Sequence, residues 1–121
     1  MEQKSAIDAF SALAQATRLD VFRLLMAAEP GGLPSGEVAR RLGVPPNTMS
    51  SHLAILQRAG LIAAERQGRS MIYRAEMEAV RNLVSFLVRD CCNGHPELCA
   101  PVLEDLAAVT STEAARRGCC Q

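Results

Sequence analysis

Within the ten residues DCCNGHPELC (90–99) the chain holds Cys91, Cys92 and Cys99, a histidine, an Asn-Gly pair and a proline. Thiolates are soft donors and favour thiophilic ions over hard ones such as magnesium. Three of them suit trivalent arsenic or antimony, which takes a trigonal pyramid of sulfurs, keeps a lone pair at the apex and needs no fourth ligand. With His95 added, the same cysteines make a Cys3His set for zinc or cadmium. Oxidation of the thiols to a disulfide or polysulfide gives a redox switch. Buried cysteines can also serve simply as small apolar residues. Cys119 and Cys120, near the last residue, bring the total to five, so a fully paired framework within one chain is excluded. In a reducing compartment such cysteines point to metal or redox chemistry before disulfides.

Spacing adds a constraint. Adjacent helical residues point about 100° apart, so Cys91 and Cys92 cannot easily grip one atom while both stay helical. Asn93-Gly94 is a helix-ending pair able to adopt positive φ, and Pro96 bars continuation. The three cysteines therefore stand where a helix stops and folds back, which brings Cys99 within reach. A catalytic use is not expected: there is no phosphatase-like CxxxxxR loop, and neither histidine has an evident carboxylate partner.

The elements that must carry this cluster are mostly helical. A helix over 6–16 would turn Ile7, Phe10, Leu13 and Ala14 to one side. Thr17 can cap a second helix with Val21, Phe22, Leu24, Leu25 and Met26 in its body, ended by Glu29-Pro30-Gly31-Gly32. Ser35 can cap a two-turn helix over 37–42, Gly43 supplies the tight turn, and Pro46 opens a helix over 46–59 with Met49, Leu53, Leu56 and Ile55 inside. Two helices joined this way form a helix-turn-helix. Runs 61–66 and 69–74 about Gln67-Gly68 read as a β-hairpin. The last long helix, 76–89, carries Val80, Leu83, Val84, Leu87 and Val88 as a stripe, which fits either a contact with another copy or packing within the monomer. A short helix is expected within 96–109.

A helix-turn-helix followed by a hairpin is the winged-helix layout, whose second helix enters the major groove. Its polar face holds Asn47, Thr48, Ser50, Ser51, His52 and Gln57, flanked by Arg58; the hairpin tip adds Arg66, Gln67 and Arg69. The formal net charge is zero, yet residues 37–74 hold six arginines against two glutamates, and the flanking segments are acidic. The middle third can therefore meet phosphates. Glu2, Lys4 and Asp8 leave no apolar stretch for a signal peptide, and no run approaches the roughly 18 apolar residues of a membrane helix. A cytoplasmic protein with no membrane partner is expected.

The strings ALAQATRLDVFRLL (12–25), NTMSSHLAILQRAGLI (47–62) and RQGRSMIYR (66–74) resemble the ArsR/SmtB family of metal-responsive repressors over residues 5–86. The resemblance implies a homodimeric winged helix, paired through its first and last helices, that binds double-stranded operator DNA. Ser51 stands where many members carry Arg or Lys, and Pro45-Pro46 replaces the usual hydroxyl cap of the recognition helix. The cysteine motif that well-known arsenic-responsive members place in the first helix of the helix-turn-helix is absent from LPSGEVARRL (33–42). A subset is similar here, with a vicinal pair after the last helix and a third cysteine a few residues on. By that resemblance Cys91, Cys92 and Cys99 would ligate As(III) or Sb(III) as inducer. The expected plan is a mostly α chain with a small β-hairpin: a DNA-binding and dimerisation domain over 1–90, a sensor segment over 91–109 and a flexible tail over 110–121.

Overall fold

The computed structural model describes residues 2–91 together with Pro101 and Asp105, and of Arg89, Asp90 and Cys91 the backbone alone. The expected helix within 96–109 and the tail over 110–121 thus fall, those two residues apart, outside the described residues. The elements in order are α1 (Gln3–Leu13), α2 (Ala16–Ala27), β1 (Leu33–Pro34), α3 (Ser35–Leu42), α4 (Pro46–Arg58), β2 (Ile62–Gln67), β3 (Ser70–Ala75) and α5 (Met77–Cys91). This is the winged helix-turn-helix that the sequence predicts.

The first helix inverts the expected face. Ala6, Ala9 and Ala12 are buried, whereas Ile7 and Phe10 are 52% and 38% exposed. Where α1 lies against α2 and α4, Ala6, Ala9 and Ala12 fill the contact; of the expected face only Leu13 packs partly against the core, while Ile7 and Phe10 are turned outward. α1 also ends earlier than the periodicity suggests. Arg18 reaches back from α2 and donates from Nε to Ala12 O at 2.6 Å, placing a cation on the carbonyl end of α1. The cap of α2 is Gln15 rather than Thr17: Gln15 Oε1 accepts from Arg18 N at 2.8 Å, and Thr17 lies inside the first turn.

The helix-turn-helix forms as expected, with one change of cap. Pro34, not Ser35, precedes α3, and it makes no side-chain cap bond. At the other end Gly43 adopts φ +66 and donates to Arg40 O, while Val44 N donates to Ala39 O at 3.0 Å. Those two bonds satisfy carbonyls that the end of a helix leaves open. In the first turn of α4, Pro46 has no N–H to lose. Met49, Leu53 and Leu56 then point inward and are fully buried with Val21, Leu25, Val38 and Leu61.

The sheet has the order β1-β3-β2. β2 and β3 pair from Ile62↔Ala75 to Gln67↔Ser70, so the loop is Gly68-Arg69. The turn therefore lies one residue later than expected, and Arg69 is in the loop itself. The sequence reading has no β1: two residues, one of them proline, carry no alternation, and proline is accepted because the strand is an edge. Gly32 leads into it at φ +74, where a Cβ would stand 2.6 Å from Tyr73 O. Beside it Arg74 Nη2 donates to Glu29 Oε2 at 3.1 Å, tying the end of α2 to the wing. On α5, Leu83 is buried, Val80, Val84 and Phe86 are partly covered, and Met77 and Leu87 stand out in solvent. Among the described residues no helix is long and apolar enough to cross a membrane.

Two glycines give a contrast that chemical denaturation can read. Gly43 has positive φ but open space around it, so Gly43→Ala should cost about 1 kcal/mol. Gly32→Ala meets the same backbone strain plus a clash with β3 backbone and should cost on the order of 3 kcal/mol in a urea titration. Equal costs would contradict the close approach of Gly32 to β3.

Candidate nucleic-acid interface

Burial of Met49, Leu53 and Leu56 decides what α4 shows to solvent. Asn47, Thr48, Ser50, Ser51, Gln57 and Arg58 are all exposed, as the sequence predicts. Their polar atoms are already partly oriented. Asn47 Oδ1 accepts from Thr48 N at 3.0 Å, which satisfies one first-turn N–H and leaves the Asn47 amide nitrogen as the outward donor. Ser50 Oγ donates to Pro46 O at 3.0 Å and Ser51 Oγ to Asn47 O at 3.5 Å. With their protons turned to the helix, both hydroxyls present lone pairs outward. The helix start thus offers one amide donor beside two acceptors, a set able to meet base edges.

His52 and Arg58 differ from the rest of that set. His52 is partly withdrawn from solvent, and its Nδ1 is buried with no hydrogen-bond partner among the described residues. Arg58 lines an open cleft of about 440 Å³ together with Ile55, Ala59, Arg18 and the α1 residues Asp8, Ser11 and Ala12. It therefore borders α1 as well as the polar face. Arg66 and Arg69, at the end of the wing, are exposed and make no ion pair among the described residues.

The other three arginines of the basic middle third are engaged with carboxylates. Arg74 is held by Glu29 and lies 3.9 Å from Glu65. Hydrogen bonding to Glu29 raises the Arg74 pKa above its ordinary value. Arg40 and Arg41 both bind Glu37, whose carboxyl is lowered to about 2, first by the hydrogen bond from Arg40 and then by that from Arg41. The sequence reading counts these arginines as basic surface and misses the pairing. The signal was present in the spacing, since Glu37 precedes Arg40 and Arg41 by three and four residues, one helical turn.

Of the predicted thiol site, Cys91 is the last residue of α5, while Cys92 and Cys99 lie outside the described residues, as do His95, Cys119 and Cys120. Among the described residues no group of three or more His, Cys, Asp or Glu side chains gathers as a metal site.

Comparison with known proteins agrees with this geometry. Residues 13–64 match a family model described as a helix-turn-helix domain. The chain is 38% identical over 78 residues to the HTH-type transcriptional regulator KmtR of Mycobacterium tuberculosis, covering 64% of this chain and 58% of that protein. The chain thus spans less than two thirds of KmtR. It is 33% identical to the HTH-type transcriptional regulator YbzH of Bacillus subtilis, over 67% of this chain and 93% of that protein. Among solved structures it resembles the homodimeric winged helix-turn-helix DNA-binding domain of Mb0332 from Mycobacterium bovis, a possible ArsR-family regulator. That match has 27% identity and a TM-score of 0.59 over 76% of this chain and 82% of that one. These relatives are named as regulators of transcription, not enzymes.

If Arg66 and Arg69 meet phosphates, each neutralises one charge on the duplex. Arg66→Ala and Arg69→Ala should then each lower the slope of log affinity against log salt by roughly 0.9, measured by fluorescence anisotropy on a duplex. An unchanged slope in both would remove the wing from the interface.

Proposed function

The chain belongs to the ArsR family of winged-helix, HTH-type transcriptional regulators, and on that premise we propose that it is a homodimeric repressor which releases its operator on binding trivalent arsenic or antimony. In this reading Asn47, Thr48, Ser50, Ser51, His52 and Gln57 face the major groove, and Arg58, Arg66 and Arg69 reach the backbone. Cys91, Cys92 and Cys99 are the inducer ligands. The observation that carries the choice of inducer is the set of three thiols beginning on the last residue of α5. Arsenite exchanges its hydroxides for thiolates one by one, so three sulfurs complete its coordination at neutral pH.

Support for pairing comes from the apolar side chains left outward. Ile7 and Phe10 of α1 and Leu87 of α5 are exposed in the monomer, and the similar Mb0332 domain is described as homodimeric. An α5 that helps hold two copies together and ends in the inducer site gives a route from ligand to DNA. Adjacent helical residues diverge, so closing three sulfurs on one ion draws Cys91 out of the helical geometry it has as the last residue of α5, and binding remakes that end. That changes the spacing or freedom of the two reading heads. To move the repressor from mostly bound to mostly free, the inducer must favour the released state by roughly 5 kcal/mol. A three-sulfur chelate is able to provide such a difference, whereas one thiol is not.

Two experiments test the reading. Arsenite should release an inverted-repeat duplex in a gel shift, and Cys91→Ser or Cys99→Ser should abolish release while leaving DNA binding intact. X-ray absorption should find three sulfurs on arsenic. Release that survives both substitutions sinks the triad, and a sulfur–nitrogen tetrahedron about zinc would transfer the site to the Cys3His alternative. For the dimer, Phe10→Asp should sediment as a monomer and weaken operator binding on the order of a hundredfold, since the second half-site no longer adds its grip.

A further inference from the structure

Glu37, Arg40 and Arg41 occupy the side of α3 opposite its buried residues Val38 and Ala39. Glu37 accepts on both oxygens, Oε1 from Arg40 Nε at 2.9 Å and Oε2 from Arg41 Nε at 2.7 Å. The two guanidinium groups nonetheless remain open to solvent, with side chains 70% and 45% exposed. Only Gly43, Val44 and Pro45 separate α3 from α4, so Arg40 and Arg41 lie close in sequence to the first residues of the reading helix. In a helix-turn-helix the helix before the reading helix crosses the DNA backbone.

We propose that Arg40 and Arg41 are further phosphate contacts on DNA, and that Glu37 competes with phosphate for both of them and so sets the affinity for DNA. The inference rests on the DNA-binding reading above.

Three observations carry it. An exposed carboxylate–guanidinium pair contributes little to stability, so exchanging its anion is cheap. Carboxylate and phosphate accept the same forked donor set, and Glu37 therefore holds the two arginines in a form that phosphate can take over. Third, the remaining exposed arginines of the middle third, Arg58, Arg66 and Arg69, are few for a protein with no net charge that must hold a polyanion. Glu37, whose carboxyl is lowered to about 2 by the hydrogen bonds from Arg40 and Arg41, is ionised near neutral pH as any free glutamate is, so the competition is constant there.

Phosphate contacts carry no base information, so a mixed-sequence duplex serves as probe. Each contact changes the ratio of affinities at 50 and 200 mM salt by roughly 3.5-fold, from a slope of about 0.9 per charge. Arg40→Gln and Arg41→Gln should each reduce the salt-induced loss by that factor, and Arg41→Lys, which keeps the charge, should retain it. Glu37→Gln should tighten binding several-fold at low salt, and the gain should vanish when Arg40 and Arg41 are both glutamine. Circular-dichroism melts identify any variant that fails to fold, and for such a variant the alanine substitution at the same arginine gives the measurement. An unchanged salt dependence in the arginine variants overturns the proposal. So does a Glu37→Gln gain that persists without the two arginines, since that would be a general charge effect. Arg66→Gln separates the two readings: if it lowers the slope and the α3 variants do not, only this inference falls. A wild-type chain that binds no duplex takes down both.

Discussion

The buried contact of Met49, Leu53 and Leu56 with Val21, Leu25, Val38 and Leu61 is the constraint from which the interface follows. These side chains come from α2, α3, α4 and the start of the wing, so one cluster holds every element that would approach DNA. Burying each is worth about 1.5–3 kcal/mol, more than any polar contact on the surface. The rotation of α4 about its own axis is therefore set from inside. The polar face is outward because the apolar face cannot be, and Asn47, Ser50 and Ser51 inherit their direction from Met49 and Leu53.

Electrostatics is arranged on top of that frame. Within the basic middle third the arginines differ in how far carboxylates engage them. Arg74 is part of the architecture, joining the end of α2 to β3 through Glu29, whereas Arg66 and Arg69 extend from the wing without a carboxylate among the described residues. Arg40 and Arg41 lie between these extremes, paired but exposed. A formal charge of zero thus conceals a graded supply of cations, and the partners that neutralise them are mostly local, one turn or one strand away.

Much of this plan was legible in the residues. Gly43 and Pro46 mark the helix-turn-helix because each answers a backbone requirement that few residues meet, and Gly68 marks the wing in the same way. What failed to show was decided by neighbours distant in sequence. Periodicity in α1 groups Ile7 and Phe10 with Leu13, but Ala6, Ala9 and Ala12 take the buried contact with α2 and α4, and of the three larger residues only Leu13 is partly covered. β1 exists because β3 has an open edge, a fact absent from Leu33 and Pro34 themselves. Gln15 displaced Thr17 as cap because α2 begins at Ala16, two residues ahead of the start that a Thr17 cap implies. The ion pairs of Glu37 are readable from spacing alone, while Glu29 and Arg74, 45 residues apart, meet only in the fold.

The inverted face of α1 has a consequence for how the protein persists at low abundance. A helix that spends its alanines on its own core and keeps Phe10 and Ile7 outward leaves part of its hydrophobic stabilisation unrealised in a single copy. If a second copy covers that face, folding and association share one free energy. The midpoint of thermal unfolding then climbs with protein concentration by mass action. Dilution becomes a form of destabilisation, and the amount of regulator present helps to determine how long each molecule survives.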